Sequence, residues 1–205
     1  MATADKLPRS LRSVSPAPPC HHIKRSVRNS VKSAQSLYNR SLDFSGIGGH
    51  AIDKNECFKL NREAALLGHY DAILAMGWLY LNGYGVEKNL QSAEYWYKKS
   101  ARSGEARAMF SLGWMAYDAL AYDHAKRWFL RAIDHGHIRS IYWLGKLAWR
   151  GHGFQQSRSE AFALFHRAAR KHDPEAIRVL RFLSRKHQET EQAAPEQPLP
   201  AAQFR

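Results

Sequence analysis

The chain has 205 residues, of which 44% are hydrophobic, and a formal net charge of +13. Its length and apolar content are sufficient for a packed core in one or two domains, which favours a globular protein. No uncharged apolar run reaches the roughly 18 residues that a membrane-spanning helix needs. The first twenty residues also lack the apolar stretch of a secretory signal, so we expect no export by that route.

The positive charge is concentrated in two segments. Residues 1–50 hold eight Lys and Arg against two Asp, and residues 139–186 hold eleven Lys and Arg against three acidic residues. Basic surfaces of this kind attract acidic proteins, nucleic acid or anionic lipid, and the sign of the charge does not choose among them.

The N-terminal segment is predicted to have two parts. Residues 1–22 combine four Pro with basic and polar residues, which predicts a disordered arm. A basic amphipathic helix is predicted over 23–45, because apolar residues recur there at helical spacing. These residues are Ile23, Val27, Val31, Ala34 and Tyr38. The helix either caps the domain that follows, or contacts an anionic membrane through residues 23–42 or nucleic acid.

The composition of this N-terminal segment also bears on the cellular location of the protein. Residues 6–42 are rich in Ser and basic residues and contain no acidic residue, as in a mitochondrial presequence. We expect a bacterial cytoplasmic protein, with a mitochondrial location as the alternative.

One sequence pattern then recurs three times, at intervals of 36 and 32 residues. The first copy contains Ala72-x-x-x-Met76-Gly77, a Gly83-x-Gly85 turn and Ala93-x-x-Trp96. The second contains Ala108-x-x-x-Leu112-Gly113 and Ala125-x-x-Trp128, and the third Ser140-x-x-x-Leu144-Gly145, Gly151-x-Gly153 and Ala161-x-x-Leu164. Half-copies flank these three, which is the signature of a repeat architecture.

Each copy predicts a pair of helices. Small residues such as Gly77 and Gly113 let the two helices approach closely, and we expect Trp96 and Trp128 to fill the space between successive hairpins. The predicted helices span 51–67, 70–82, 90–103, 106–118, 121–135, 138–150, 157–171 and 174–187. A hairpin cannot bury its apolar face alone, so neighbouring hairpins must stack. Residues 188–205 are polar and Pro-containing, which predicts a disordered tail.

Over residues 50–187 this pattern resembles the Sel-1-like repeat, a relative of the tetratricopeptide repeat. The resemblance implies an all-α fold, a short right-handed superhelical solenoid of three to four helical hairpins, with a basic N-terminal helix and disordered termini. It also implies a non-enzymatic adaptor for protein–protein interaction. Exported members carry paired cysteines within each repeat, and their absence favours a reducing compartment. His172 departs from the pattern, because it stands where other copies have a closing glycine.

Eleven histidines raise the question of a metal site, and the densest group is His135, His137, His152, His166 and His172. No Cys-x-x-Cys or His-Glu-x-x-His spacing accompanies them, so we expect solvated imidazoles and no metal. No nucleophile–base pair or paired carboxylates emerge either. We therefore expect no enzyme, no cofactor and no small-molecule substrate, with a hydrolase as a minor alternative.

The partner is expected in the concave groove, which the first helix of each hairpin lines in stacks of this kind. Residues not used for packing should point into it. They are Leu74, Trp78, Arg107, Phe110, Trp114, Arg139, Tyr142, Lys146, Trp149, Arg150, Arg178, Phe182 and Arg185. Aromatic anchors beside arginines are typical of binding hot spots, which predicts an adaptor for an acidic or extended protein segment. The alternative is a nucleic-acid-binding protein that uses the basic third repeat and the N-terminal arm.

Overall fold

The computed structural model describes residues 20–45, 53–153 and 155–192. Within these ranges the chain is all-α, with nine helices and no strand. In chain order they are α1 (Cys20–Asp43), α2 (Lys54–Leu66), α3 (Tyr70–Asn82), α4 (Leu90–Arg102), α5 (Ala106–Asp118), α6 (Tyr122–Asp134), α7 (Ile138–Arg150), α8 (Arg158–Arg170) and α9 (Pro174–Gln192).

The predicted helices α2 to α8 occur with ends within three residues of those expected from the repeat. Two boundaries differ. The first helix begins at Cys20, and α9 continues to Gln192, so the prediction of disorder is wrong for residues 20–22 and 188–192. Glu and Gln are good helix formers, and they extend a helix that has already nucleated. The rest of the predicted arm and tail, residues 1–19 and 193–205, lies outside the described residues.

The chain forms two compact units, Met1–Ala72 and Ile73–Arg205. In the first unit α1 packs against α2. Tyr38 stacks on His69 with 4.4 Å between the ring centroids, and Gln35 hydrogen-bonds the His69 Nε2 at 2.9 Å. Ala34 is buried and Tyr38 is partly buried, but Val31 is 59% exposed, so the predicted apolar stripe is partly buried over residues 31–38. The side chains of residues 20–29 lie outside the described residues.

In the second unit a glycine of each first helix lies against an aromatic ring of its paired helix. A Cβ added at Gly77, Gly113 or Gly145 would come within 3 Å of a ring, and those rings belong to Tyr97, Phe129 and Phe165. All three rings are buried. Tyr97 and Phe129, the residues after Trp96 and Trp128, therefore fill the space within a hairpin. The tryptophans were expected between successive hairpins, and there Trp128 packs against the core cluster that includes Tyr97 and Ala101 of the preceding hairpin. The two tryptophans are only partly buried and carry Lys99 and Arg131 over their rings.

The turns between hairpins require a left-handed backbone. Gly68, Gly104 and Gly136 have φ values of +88°, +88° and +85° at the end of a second helix. His172 takes the same place after α8 with φ +62°, and Leu120, in the shortened loop of the second copy, has φ +59°. A left-handed backbone is unfavourable for any residue that has a Cβ atom, whereas glycine adopts it without this cost in free energy. These two positions are therefore locally strained.

Candidate functional site

A large hollow of the second unit lies among α7, α8 and α9 and has a volume of about 880 Å³. We call it the aromatic–basic cleft. It groups five of the predicted binding residues with seven others. The α7 residues are Tyr142, Lys146, Trp149 and Arg150; α8 adds Arg158, Phe162 and Phe165; α9 adds Val179, Phe182, Leu183, Ser184 and Lys186.

Three cations of the cleft, Lys146, Arg150 and Arg158, contact aromatic groups instead of carboxylates. The Lys146 Nζ lies 4.1 Å from the ring centroid of Trp143, and the Arg158 guanidinium lies 5.5 Å from that of Trp149. The Arg150 guanidinium donates a 3.0 Å hydrogen bond to the Tyr117 hydroxyl. Among the described residues no carboxylate forms an ion pair with Lys146, Arg150 or Arg158. Their positive charge is therefore left uncompensated at the cleft.

The environment shifts two ionisable groups of the cleft. Burial and the neighbouring Arg150 lower the pKa of Lys146. Burial, together with the charges of Glu175 and Asp173, raises the pKa of Tyr142, so its hydroxyl stays a neutral donor and acceptor. A second like charge beside Lys146 is unfavourable in the free protein, and an anion bound between the two would relieve it.

The α9 wall continues the cleft toward solvent. Phe182 is 63% exposed, which is unusual for a ring of this size and leaves it available for contact. A smaller hollow of about 520 Å³ also includes Phe182 and is lined by Arg178, Arg181 and Arg185. Arg178 is paired with Glu175 at 3.3 Å, so it is less available than Arg185.

Trp114 lines a different hollow, of about 400 Å³, between α5 and the helices on either side of it. We call it the Trp114 pocket. Its walls include the Trp128 ring and the aliphatic side chains of Leu81 and Leu90. Its charged residues are Glu94 and Asp118. The sequence predicted one groove with a gradient from apolar to basic, and the structure forms two hollows of opposite charge.

Other predicted binding residues have structural contacts of their own. Phe110 stacks on His137 at 4.5 Å, and Leu74 packs against the core around Tyr97. Arg107 is paired with Glu105 at 2.9 Å, and Arg139 lies 3.8 Å from Asp173. Trp78 is 50% exposed, with its ring 5.6 Å from that of Tyr84. The structure therefore does not bring Leu74, Trp78, Arg107, Phe110 or Arg139 into the aromatic–basic cleft.

Two histidines are not solvated as expected. His137 is half-buried, its Nδ1 hydrogen-bonds the Ser140 hydroxyl at 2.9 Å, and burial lowers its pKa. His152 stacks on Tyr122 with 3.9 Å between centroids. Both histidines use their rings for packing. Within the described ranges no three His, Cys, Asp or Glu side chains are grouped as a metal site would require.

Sequence reasoning missed the contribution of α8 to the cleft. Arg158 and Phe162 are one turn apart on that helix and line the cleft, although only first helices were expected to do so. The sequence offered a signal in the spacing of Arg158 and Phe162, four residues apart, which places a basic and an aromatic side chain on one helix face.

In the part of the chain that the structure describes, no helix combines the length and apolar character needed to cross a bilayer.

The chain is similar to known repeat proteins. It matches a protein of Acanthamoeba polyphaga mimivirus that contains sel1-like repeats, with 28% identity over 71 residues, which are 35% of this chain and 13% of that protein. A Sel1 repeat protein from Oxalobacter formigenes has a TM-score of 0.62 at 27% identity, and the alignment covers 75% of this chain and 66% of that one. A protective antigen of uropathogenic Escherichia coli with an SLR fold has a TM-score of 0.67 at 21% identity, over 82% of this chain and 36% of that one.

This chain therefore spans a minor part of the mimivirus and Escherichia coli proteins. Sel1 repeats generally mediate contacts between proteins and are typically non-catalytic scaffolds. The Sel1 repeat model matches residues 71–105, 106–137 and 138–173, an unbroken half of the chain. The chain belongs to the Sel1 repeat family, and its fold is the all-α repeat solenoid of that family.

Proposed function

We propose that the protein is a non-catalytic adaptor that binds an acidic segment of a partner protein in the aromatic–basic cleft. The observation that carries the proposal is the set of three cations, Lys146, Arg150 and Arg158, without carboxylate partners among the described residues on a large, aromatic-walled cleft. Uncompensated cations at a partly apolar surface favour an anionic partner that also buries apolar side chains.

The shape of the cleft supports a short peptide segment as the occupant. Its volume of about 880 Å³ lies within the range of ligand-binding sites and accommodates several side chains. Phe162 and Phe182 offer apolar contact area at low conformational cost, while the cations lie within reach of Asp or Glu side chains. Apolar anchors flanked by acidic residues therefore match the site.

The experiment is a fluorescence-anisotropy titration with a labelled short peptide in which acidic residues alternate with Leu and Phe. We expect the double variant Lys146→Glu and Arg150→Glu to weaken binding by about thirtyfold, from roughly 1 kcal/mol for each reversed charge. The matched control, Arg102→Glu and Arg131→Glu, makes the same charge change at residues that do not line the cleft. It should weaken binding by no more than about threefold, through the long-range field alone.

Equal weakening by the two double variants would overturn the proposal, since net charge alone would then explain binding. A labelled single-stranded oligonucleotide of the same charge tests the nucleic-acid alternative in the same assay. If it binds more tightly than the peptide, and with a steeper loss of affinity as salt is raised, the protein is a nucleic-acid binder and the adaptor proposal fails.

A further inference from the structure

The Trp114 pocket differs in chemistry from the aromatic–basic cleft. Its lining contains two indole rings, Trp114 and Trp128, and the aliphatic side chains of Leu81, Leu90 and Met115. Among the described residues, its charged side chains are the two carboxylates of Glu94 and Asp118, and neither Lys nor Arg lines it. Indole faces and carboxylates both attract cations, and aliphatic walls match the methylene stem of a long basic side chain.

The position of Asp118 gives the strongest indication that the pocket binds a cation. It is the last residue of α5, where the carbonyl end of the helix makes a negative side chain unfavourable. It is exposed, and no basic side chain of the described residues forms an ion pair with it. The nearby N-terminus of α6 already has Asp123 in its first turn. The carboxylate of Asp118 therefore destabilises the helix end in the free protein, and a bound cation would relieve this.

Glu94 gives weaker support for a cation site than Asp118 does, because it already has a basic partner. Its carboxylate is 2.7 Å from the Lys98 ammonium, and both side chains are about half exposed. Such surface pairs contribute little to stability, so Glu94 could exchange Lys98 for an incoming cation at small cost. His124 also lines the pocket and is exposed. The pocket as a whole therefore presents negative charge beside indole rings.

We infer that the Trp114 pocket binds an arginine side chain of a partner protein. The planar guanidinium stacks on the indole of Trp114 and donates hydrogen bonds to the Asp118 carboxylate, while its stem lies on Leu81 and Leu90. A guanidinium suits this site better than an ammonium, because it is more weakly hydrated and combines ring stacking with a forked donor geometry. The volume of about 400 Å³ is sufficient for one long side chain and its neighbours.

The test is an NMR titration at low salt and about pH 8, where histidine is mainly neutral. The ligands are n-butylguanidinium, n-butylammonium and the neutral isostere n-butylurea, each added to the full chain. The indole N–H signals of Trp114 and Trp128 report binding, and single Trp→Phe variants assign them. We expect n-butylguanidinium to shift both signals and to bind about fivefold more tightly than n-butylurea, as one screened charge contact contributes roughly 1 kcal/mol.

Two variants separate binding from folding. Asp118→Asn should weaken the binding of n-butylguanidinium by about fivefold and leave the affinity for n-butylurea unchanged. It should not lower the melting temperature of the protein. Asp134→Asn is the matched control, because Asp134 is also the last residue of its helix and does not line the pocket. This variant should change the affinity for neither ligand. The inference is overturned if n-butylurea or n-butylammonium binds as tightly as n-butylguanidinium, or if the two variants have the same effect. These residues and ligands differ from those of the aromatic–basic cleft, so either proposal can fail alone.

Discussion

Gly113 of α5 lies directly against the ring of Phe129 of α6. A Cβ at position 113 would come within 2.6 Å of the ring carbons Cδ1 and Cε1, closer than any van der Waals contact allows. The first and third hairpins repeat the arrangement with Gly77 against Tyr97 and Gly145 against Phe165. In each hairpin a missing side chain on one helix makes room for a buried ring on the other. These glycine–ring contacts set the distance between the paired helices, and residues of those helices line the two hollows.

Gly113→Ala tests this packing. Helix propensity alone would make alanine stabilising by about 1 kcal/mol, but the clash with a fully buried ring should reverse the sign. We expect a net loss of about 2 kcal/mol in the free energy of unfolding, measured by urea denaturation.

Phe129→Leu in the same chain provides the control. Because the smaller side chain makes room for the added methyl group, the double variant should lose less stability than the two single variants together. Additive losses would show that Gly113 and Phe129 do not share the same space.

His172→Gly should stabilise the protein. The imidazole residue has φ +62° where the corresponding turns have glycine, and the left-handed conformation costs a side-chain-bearing residue about 1 kcal/mol. Part of that gain is offset because glycine increases the entropy of the unfolded chain, so we expect about 0.5 kcal/mol from denaturation curves.

Leu120→Gly, at φ +59°, should act in the same direction, whereas Gly104→Ala, at φ +88°, should destabilise. If His172→Gly lowers stability, the imidazole makes a contact that stabilises the fold by more than the left-handed backbone costs.

His137 should make stability depend on pH. Burial lowers its pKa in the folded protein below the ordinary value of 6.5, so the unfolded chain takes up a proton first as the pH falls. Its contribution is fully present above the unfolded pKa and is lost as the pH falls through the folded pKa. Between about pH 7.5 and pH 5.5 the wild type should therefore lose more stability than His137→Gln.

His135→Gln is the matched control for that measurement. His135 lies two residues away and is exposed, so its replacement removes a neighbouring imidazole but not a half-buried one, and the two variants should differ in their pH profiles. If His137→Gln has the same profile as His135→Gln, the burial of His137 against Phe110 has no effect on proton uptake.

The helices were predictable because the repeat constrains them locally: alanine and glycine at fixed spacing specify close helix pairs wherever they occur. Which aromatic residue fills the gap was not predictable from the motif. Trp96 and Tyr97 are adjacent and both aromatic, and one residue rotates a side chain by about 100° around the helix. Packing places Tyr97 inward and leaves Trp96 beside Lys99.

The candidate site was predictable only in part, for a related reason. Tyr142, Lys146, Trp149 and Arg150 follow from the periodicity of one helix, and they line one cleft. The walls contributed by α8 and α9 depend on how three helices pack together. The spacing of residues within one helix carries no information about that packing. The separation of Trp114 from this cleft likewise results from its packing toward Leu81 and Trp128.

The most direct test of the adaptor proposal is quantitative affinity capture from cells of the source organism with three baits. They are the wild type, a cleft variant with Lys146, Arg150 and Arg158 changed to Glu, and a control variant with Lys98, Arg102 and Arg131 changed to Glu. The two variants have the same net charge, and the control residues lie at a different hollow. The proposal predicts a partner protein with an acidic segment that the wild type and the control variant retain and the cleft variant loses. A partner that all three baits retain, or that both variants lose equally, would contradict it.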